Sequence, residues 1–242
     1  MHRFYASAEA WDDSRVVLDV GESHHCLRVM RKRLGDEIEI FDGAGRWGRG
    51  IIAEESDSAL AISLEHEERD RRRLPAISLA VALTKGKVMD SVVQKAVELG
   101  VDRIQPLLTE HTVVRLEQEN LSGKQKKWRR VALEACKQCG QNFVPEVRPA
   151  APLEELVRES GGRVGLLASL HEGALPLKDV LRKLPTELEG IDLLIGPEGD
   201  FSAAERELAV AGGFHPVSLG PLVLRVETAA SFGLSVLVHE LR

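Results

Sequence analysis

The chain has 242 residues, 43% of them apolar and 29% charged, with 32 Lys and Arg against 38 Asp and Glu for a formal net charge of −6. That length buries a sizeable core in one large domain or two smaller ones, and the composition is that of a globular protein in water. The negative balance argues against a protein that coats nucleic acid indiscriminately, although a local basic patch still allows binding.

The amino terminus, Met1-His2-Arg3-Phe4-Tyr5, lacks the apolar stretch of a secretory signal, so a cytoplasmic location is expected. Short alternating runs at 15–20, 37–41, 47–53 and 59–65 predict strands separated by turns such as Asp42-Gly43-Ala44-Gly45. One short helix is expected over 23–31 with Ser23 as its N-cap. Closely spaced short strands point to a small barrel. The charged run 65–73 has the composition of a linker, and Pro75 ends it.

From Ala76 onward strands alternate with helices. Strands are predicted at 77–83, 103–108, 164–168, 193–195 and 216–219, and helices at 88–99, 124–139, 153–159, 177–184, 203–211 and 227–241. This alternation implies a mostly parallel sheet with helices on both faces. The last helix is apolar nearly all round, which predicts burial either in its own sheet or against a second copy. Its apolar stretch, 229–238, is too short to span a bilayer.

Two glycine-punctuated segments follow predicted strands: Gly196-Pro197-Glu198-Gly199-Asp200, and Gly220-Pro221-Leu222-Val223-Leu224-Arg225. Glycine lets backbone approach a ligand, and ligands collect beyond the carboxyl ends of parallel strands. Neither phosphate-binding glycine fingerprint is present, and Glu198 with Asp200 would repel a polyphosphate, so a neutral or cationic ligand is expected. An ordinary strand-to-helix turn with Asp200 or Ser202 as N-cap explains either loop alone. Two such loops together favour a site.

Cys26, Cys136 and Cys139 make no disulfide framework. The Cys136-x-x-Cys139 pair lies on the same helical face as Trp128 and Ala132, with no second ligand pair, so core cysteines are expected rather than a metal site. Basic clusters occur at Arg28, Arg31, Lys32 and Arg33, at Arg71 to Arg73, and at Lys124, Lys126, Lys127, Arg129 and Arg130; each alone is expected to be a solvated face.

These segments resemble the bacterial 16S ribosomal RNA (uracil-N3)-methyltransferase family of the SPOUT superfamily. The likeness rests on Gly196-Pro197-Glu198-Gly199, on Leu219-Gly220-Pro221 and on Leu224-Arg225-Val226-Glu227-Thr228. It extends to Gln94-Lys95-Ala96-Val97-Glu98-Leu99-Gly100-Val101, to Glu134-Ala135-Cys136-Lys137-Gln138-Cys139-Gly140-Gln141-Asn142, and to Arg3-Phe4-Tyr5, His24-His25 and Val29-Met30-Arg31. The resemblance implies a PUA-like RNA-binding β-barrel over 1–72 and a SPOUT-type α/β methyltransferase domain over 73–242, with a parallel sheet and a C-terminal deep trefoil knot. It implies S-adenosyl-L-methionine as cofactor, a homodimer, and 16S rRNA, within the small ribosomal subunit, as partner. A sulfonium cation without phosphate agrees with the acidic loops.

The implied reaction is methyl transfer to N3 of a uridine near the 3′ end of 16S rRNA. Arg225 would steady charge developing on the uracil, and Glu198 would orient it or accept a proton; an Arg225 ion pair with Glu198 or Glu227 that only shapes the loops is an equal alternative. Cofactor contacts are expected from Leu170, His171 and Glu172, from Ile195, Gly196, Pro197, Glu198 and Gly199, and from Leu219, Gly220, Leu224 and Arg225. RNA contacts are expected from Arg3, His24, Arg28 and Arg31, and from Lys85, Lys95, Gln138 and Asn142. Asp200, Gln141, Phe143, Leu222 and Val226 depart from the family's pattern, three of them replacing arginines, so the cofactor site is better preserved than the RNA site. A non-catalytic RNA- or ribosome-binding protein of this fold is the alternative from another class, and an α/β enzyme acting on a small metabolite is a third.

Overall fold

The computed structural model describes every residue except Met1, Asp57, Gly86, 112–117 and Ser160, and the side chains of 118–120. The chain forms two compact units: Met1–Arg72 with Leu133–Val144, and Arg73–Ala132 with Pro145–Arg242. The first unit thus takes in a segment beyond the expected 1–72 stretch.

In that unit, alternating apolar residues form β1 (Arg3–Tyr5), β2 (Trp11–Asp12), β3 (Arg15–Leu18), β4 (Glu37–Phe41), β5 (Arg46–Ser56) and β6 (Ala59–Arg69). The strand order is β1-β4-β5-β6-β3-β2, antiparallel except where β1 runs parallel to β4. Phe4 from one edge strand and Trp11 from the other share a single core with Leu18, Ile40, Ile52 and Ile62. The sheet must therefore curl round that core, and two register shifts between β5 and β6 sharpen its coil.

Two expectations are corrected here. The helix predicted over 23–31 starts earlier: α1 (Val20–His24) is capped by Asp19, whose carboxylate accepts the Glu22 N–H at 2.8 Å. Ser23 is buried instead, donating to the Leu18 carbonyl at 3.2 Å and accepting from the Leu60 N–H at 2.9 Å, so it clasps β3 to β6. Beyond α1 the turns widen over His25–Val29, where the Met30 N–H reaches back five residues to the His25 carbonyl at 2.9 Å. The supposed linker 65–73 is strand as far as Arg69, which pairs with Arg46. A solvated ribbon needs no apolar alternation, because its ladder and cross-strand ion pairs such as Arg46–Glu67 (2.7 Å) hold it.

The second unit contains β7 (Ala76–Ala82), β8 (Arg103–Leu108), β9 (Glu146–Val147), β10 (Ala151–Pro152), β11 (Val164–Ala168), β12 (Leu175–Pro176), β13 (Gly190–Ile195) and β14 (Phe214–Ser218). All are parallel, in the order β10-β8-β7-β13-β11-β14-β12, with β9 also on β8. The helices are α2 (Val88–Glu98), α3 (Gln118–Cys139), α4 (Leu153–Glu159), α5 (Leu177–Leu181), α6 (Ala203–Ala211) and α7 (Val226–Leu241). Ala80, Leu107, Leu167 and Leu194 pack with Leu153 and Leu156 of α4 and Ala209 of α6. Leu193, pointing oppositely in the same strand, meets α7, where a Cβ on Gly233 would lie 2.7 Å from its Cδ2. Only glycine lets the helix lie that close.

Within this chain α7 buries one side, through Ala230, Leu234 and Leu237, while Phe232 stays 45% exposed. The expected all-round burial is therefore not met by the chain's own sheet. Cys139 is likewise exposed, unlike Cys26 and Cys136, because it lies at the last position of α3. Burial pushes the Cys136 thiol up to about 12 and Cys26 up to about 11, which leaves both unreactive.

Candidate functional site

Three adjacent parallel strands, β13, β11 and β14, end along one edge of the sheet. The loops that leave them, 169–174, 196–202 and 219–225, surround a cavity of about 380 Å³ that α7 floors through Val226 and Ala229. That volume lies in the usual range for a small-molecule site.

Each loop is held by its own backbone. In the first, Ser169 extends the ladder to β14 through its N–H to the Val217 carbonyl (3.0 Å), and its hydroxyl accepts the His171 N–H at 3.2 Å. In the second, the Asp200 N–H closes a turn on the Pro197 carbonyl (2.9 Å), and Asp200 takes φ +61°. Left-handed backbone favours glycine, and aspartate tolerates it by local hydrogen bonding; here its carboxylate accepts the Phe201 N–H at 2.8 Å. Phe201 then anchors the loop in the core beneath it. Ser202 caps α6 in a reciprocal capping box with Glu205, so of the two expected N-caps it is Ser202 that serves. A ring nitrogen of His111 lies 3.0 Å from the Asp200 carbonyl and ties this loop to the chain beyond β8.

In the third loop, Arg225 has extended backbone (φ −66°, ψ 155°) and starts α7. Its side chain is exposed, and neither Glu198 nor Glu227 pairs with it. The expected alternative of a loop-shaping ion pair is thus not formed in this chain. Of the residues expected to bind cofactor, Leu170, His171, Glu172, Ile195, Gly196, Pro197, Glu198, Leu219, Gly220 and Leu224 line the cavity. Gly199 and Arg225 do not. Gly199 instead backs onto the His111 ring, and Arg225 points outward as the helix begins.

Asp200, read from the sequence as part of the loop's charge, also lines the cavity, and sequence reasoning missed Ala168, Ser169, Gly173, Ala174, Ser218, Val226 and Ala229. The apolar spacing of Val226 and Ala229 on one helix face was a usable signal for the last two. Among the described residues the lining carries Glu172, Glu198 and Asp200 and no lysine or arginine. Backbone edges, an apolar floor and carboxylates suit a neutral or cationic ligand better than a polyphosphate.

The residues expected to meet RNA divide. His24, Arg28 and Arg31 are exposed around α1 and the turn after it, as is Lys85 after β7 and Gln138 on α3. Lys95 is exposed but pairs with Glu98 at 2.8 Å. Arg3 turns inward: its side chain is 7% exposed and pairs with Glu39 (2.5 Å), the Cys136 carbonyl (3.0 Å) and Asn142. Asn142 is buried and donates to Asp70 at 2.9 Å. These two hold the first unit together rather than face a ligand. Among the described residues no cluster of side chains could hold a metal ion, and no helix is long and apolar enough to cross a membrane.

A family model described as an RNA methyltransferase domain matches residues 72–238, and one described as an RNA methyltransferase PUA domain matches 18–65. The ribosomal RNA small subunit methyltransferase E of Aquifex aeolicus is 31% identical over 99% of this chain and 100% of its own length. Its counterpart in Synechocystis is 30% identical over 97% of this chain and 76% of its own. Among solved structures, a putative methyltransferase from Legionella pneumophila in complex with S-adenosylmethionine superposes with TM-score 0.86 at 34% identity, covering 97% of this chain and 96% of that one. The methyltransferase E of Neisseria gonorrhoeae bound to S-adenosylmethionine superposes with TM-score 0.87 at 29% identity, covering 98% and 96%.

Proposed function

The chain belongs to the RNA methyltransferase family, and from that premise we propose that it transfers a methyl group from S-adenosylmethionine to N3 of a uridine in 16S ribosomal RNA. The observation that carries the cofactor is the cavity of about 380 Å³ at the carboxyl ends of β13, β11 and β14, whose described lining holds three carboxylates and no lysine or arginine. Its carboxylates, Glu172, Glu198 and Asp200, complement a sulfonium, and its loop backbones offer N–H and C=O groups to an adenine edge.

When bound, S-adenosylmethionine supplies a methyl group that leaves behind a neutral thioether. The work of this chain is then alignment and charge. Uracil N3 carries a proton and is a poor nucleophile until that proton departs. Glu198, on the cavity wall and without an ion-pair partner among the described residues, orients the base or takes the proton. Arg225, exposed beside the cavity mouth and unpaired among the described residues, steadies the negative charge that grows on the uracil oxygens. The target uridine must leave its stack to reach this edge.

The RNA backbone is held by His24, Arg28, Arg31, Lys85 and Gln138, all exposed, while Arg3 and Asn142 serve the scaffold. The substrate is the small subunit or its 16S rRNA, and the location is the cytoplasm. A homodimer is part of the same reading, supported by Phe232 left exposed on α7. So is a C-terminal trefoil knot, supported by the return of α7 from the edge region at β14 to pack on α2, β7 and β13. Deleting the gene and mapping methylated uridines in 16S rRNA tests the substrate: loss of one N3-methyluridine is expected, and an unchanged map overturns it. Calorimetry with S-adenosylmethionine tests the cofactor separately.

A further inference from the structure

Helix α3 carries five cations between positions 124 and 130 and no acidic residue between Glu119 and Glu134, in a chain whose net charge is −6. Its inner face is fixed by Trp128 and Ala132, both buried. Two residues on either side of Trp128 is about 200° round the helix, so Lys126 and Arg130 stand on the outward pole, one turn apart. Both are exposed and neither has a side-chain partner among the described residues. The flanking cations are used by the scaffold: Lys127 pairs with Asp90 of α2, and Arg129 donates to the Val147 carbonyl at 3.2 Å.

Like charges one turn apart cost helix stability, and nothing within the described chain offsets this pair. The Lys127–Asp90 contact also places α3 beside the first turn of α2. The loop before α2 leaves the carboxyl end of β7 and carries Lys85 and Lys87, both exposed and unpartnered among the described residues. That is the sheet edge on which the cofactor cavity opens. Asp90, the acid nearest this run, is already neutralised by Lys127.

We propose that Lys126 and Arg130, continued by Lys87, form an RNA-docking track along α3 that grips phosphates of the substrate and leads them to the catalytic edge. The proposal rests on the methyltransferase reading, which supplies RNA as the polyanion. Each phosphate contact releases counterions, so the track is visible in salt dependence.

The test uses the full chain with Lys126→Gln and Arg130→Gln together, on a 16S rRNA transcript and on small subunits purified from a strain lacking the gene. KM for RNA is expected to rise roughly tenfold, and the slope of log affinity against log salt to shrink by about 2, with kcat at saturating RNA and S-adenosylmethionine affinity unchanged. Arg182→Gln with Lys183→Gln, on exposed positions after α5, is the charge-matched control and is expected to behave as wild type. Wild-type RNA affinity and salt slope in the α3 variant overturn the track, as does equal weakening in the control. Wild-type protein that binds RNA yet methylates neither substrate would sink the enzymatic reading and leave the track standing.

Discussion

The two ends of the parallel sheet use charge in opposite ways. At the amino end, Asp192 is fully buried and accepts from Arg163 at 2.9 Å and Arg103 at 3.1 Å, while both guanidinium groups also reach the Ser78 hydroxyl. Nearby, Arg242 closes on Asp102 at 2.5 Å and on the Gly100 and Pro75 carbonyls. At the carboxyl end, Glu172, Glu198 and Arg225 are exposed and have no partner among the described residues. Charges that meet inside the fold are consumed by it; charges left unmet beside a cavity are available to a ligand. The first unit repeats the lesson, since Arg3 and Asn142 are spent on one another.

This contrast can be broken at either end. Asp192→Ala leaves two arginines beside a buried void and is expected to cost about 3 kcal/mol in denaturant unfolding; a loss below 1 kcal/mol would make the amino-end network ornamental. Arg225→Ala is expected to keep wild-type unfolding but to slow single-turnover methyl transfer about a hundredfold. Wild-type turnover would return Arg225 to a helix-starting role. Glu198→Gln keeps the shape and removes the charge, so roughly tenfold losses in S-adenosylmethionine affinity or in rate are expected by calorimetry and kinetics. Binding unaffected by that change would remove the electrostatic argument for a sulfonium. The smallest effect is that of Ser202→Ala, which removes the cap of α6 and should cost about 1 kcal/mol of stability while leaving methyl transfer nearly intact.

Much of the site was legible because its signals are local. Gly196-Pro197 and Gly220-Pro221 mark loops whichever way the chain folds, and Glu198 with Asp200, unaccompanied by a cation in the first of them, bound the ligand's charge. Ser23 misled because a serine before a helical pattern is the same in sequence whether it caps or, as here, bridges β3 and β6. The 65–69 segment misled because an exposed ribbon carries no hydrophobic period to detect. Arg3 and Cys139 show the same limit: whether a side chain faces inward depends on what another part of the chain places opposite it.

Local physics in the sequence determined the helices of the second unit, its five longer strands, its parallel sheet and two of the three loops that wall the cavity. The two-residue strands β9, β10 and β12 were not legible, and the family rested on motif resemblance. Periodicity, glycine and proline geometry, and charge act over a few residues and survive without knowledge of partners. Only the tertiary structure decided which charges are free. Asp192 and Glu198 are both acids close to the same strand, yet one meets two guanidinium groups and the other opens on a cavity. That difference comes from register and strand order, which bring Arg103 and Arg163 to one end of β13 and, among the described residues, no lysine or arginine to the lining at the other.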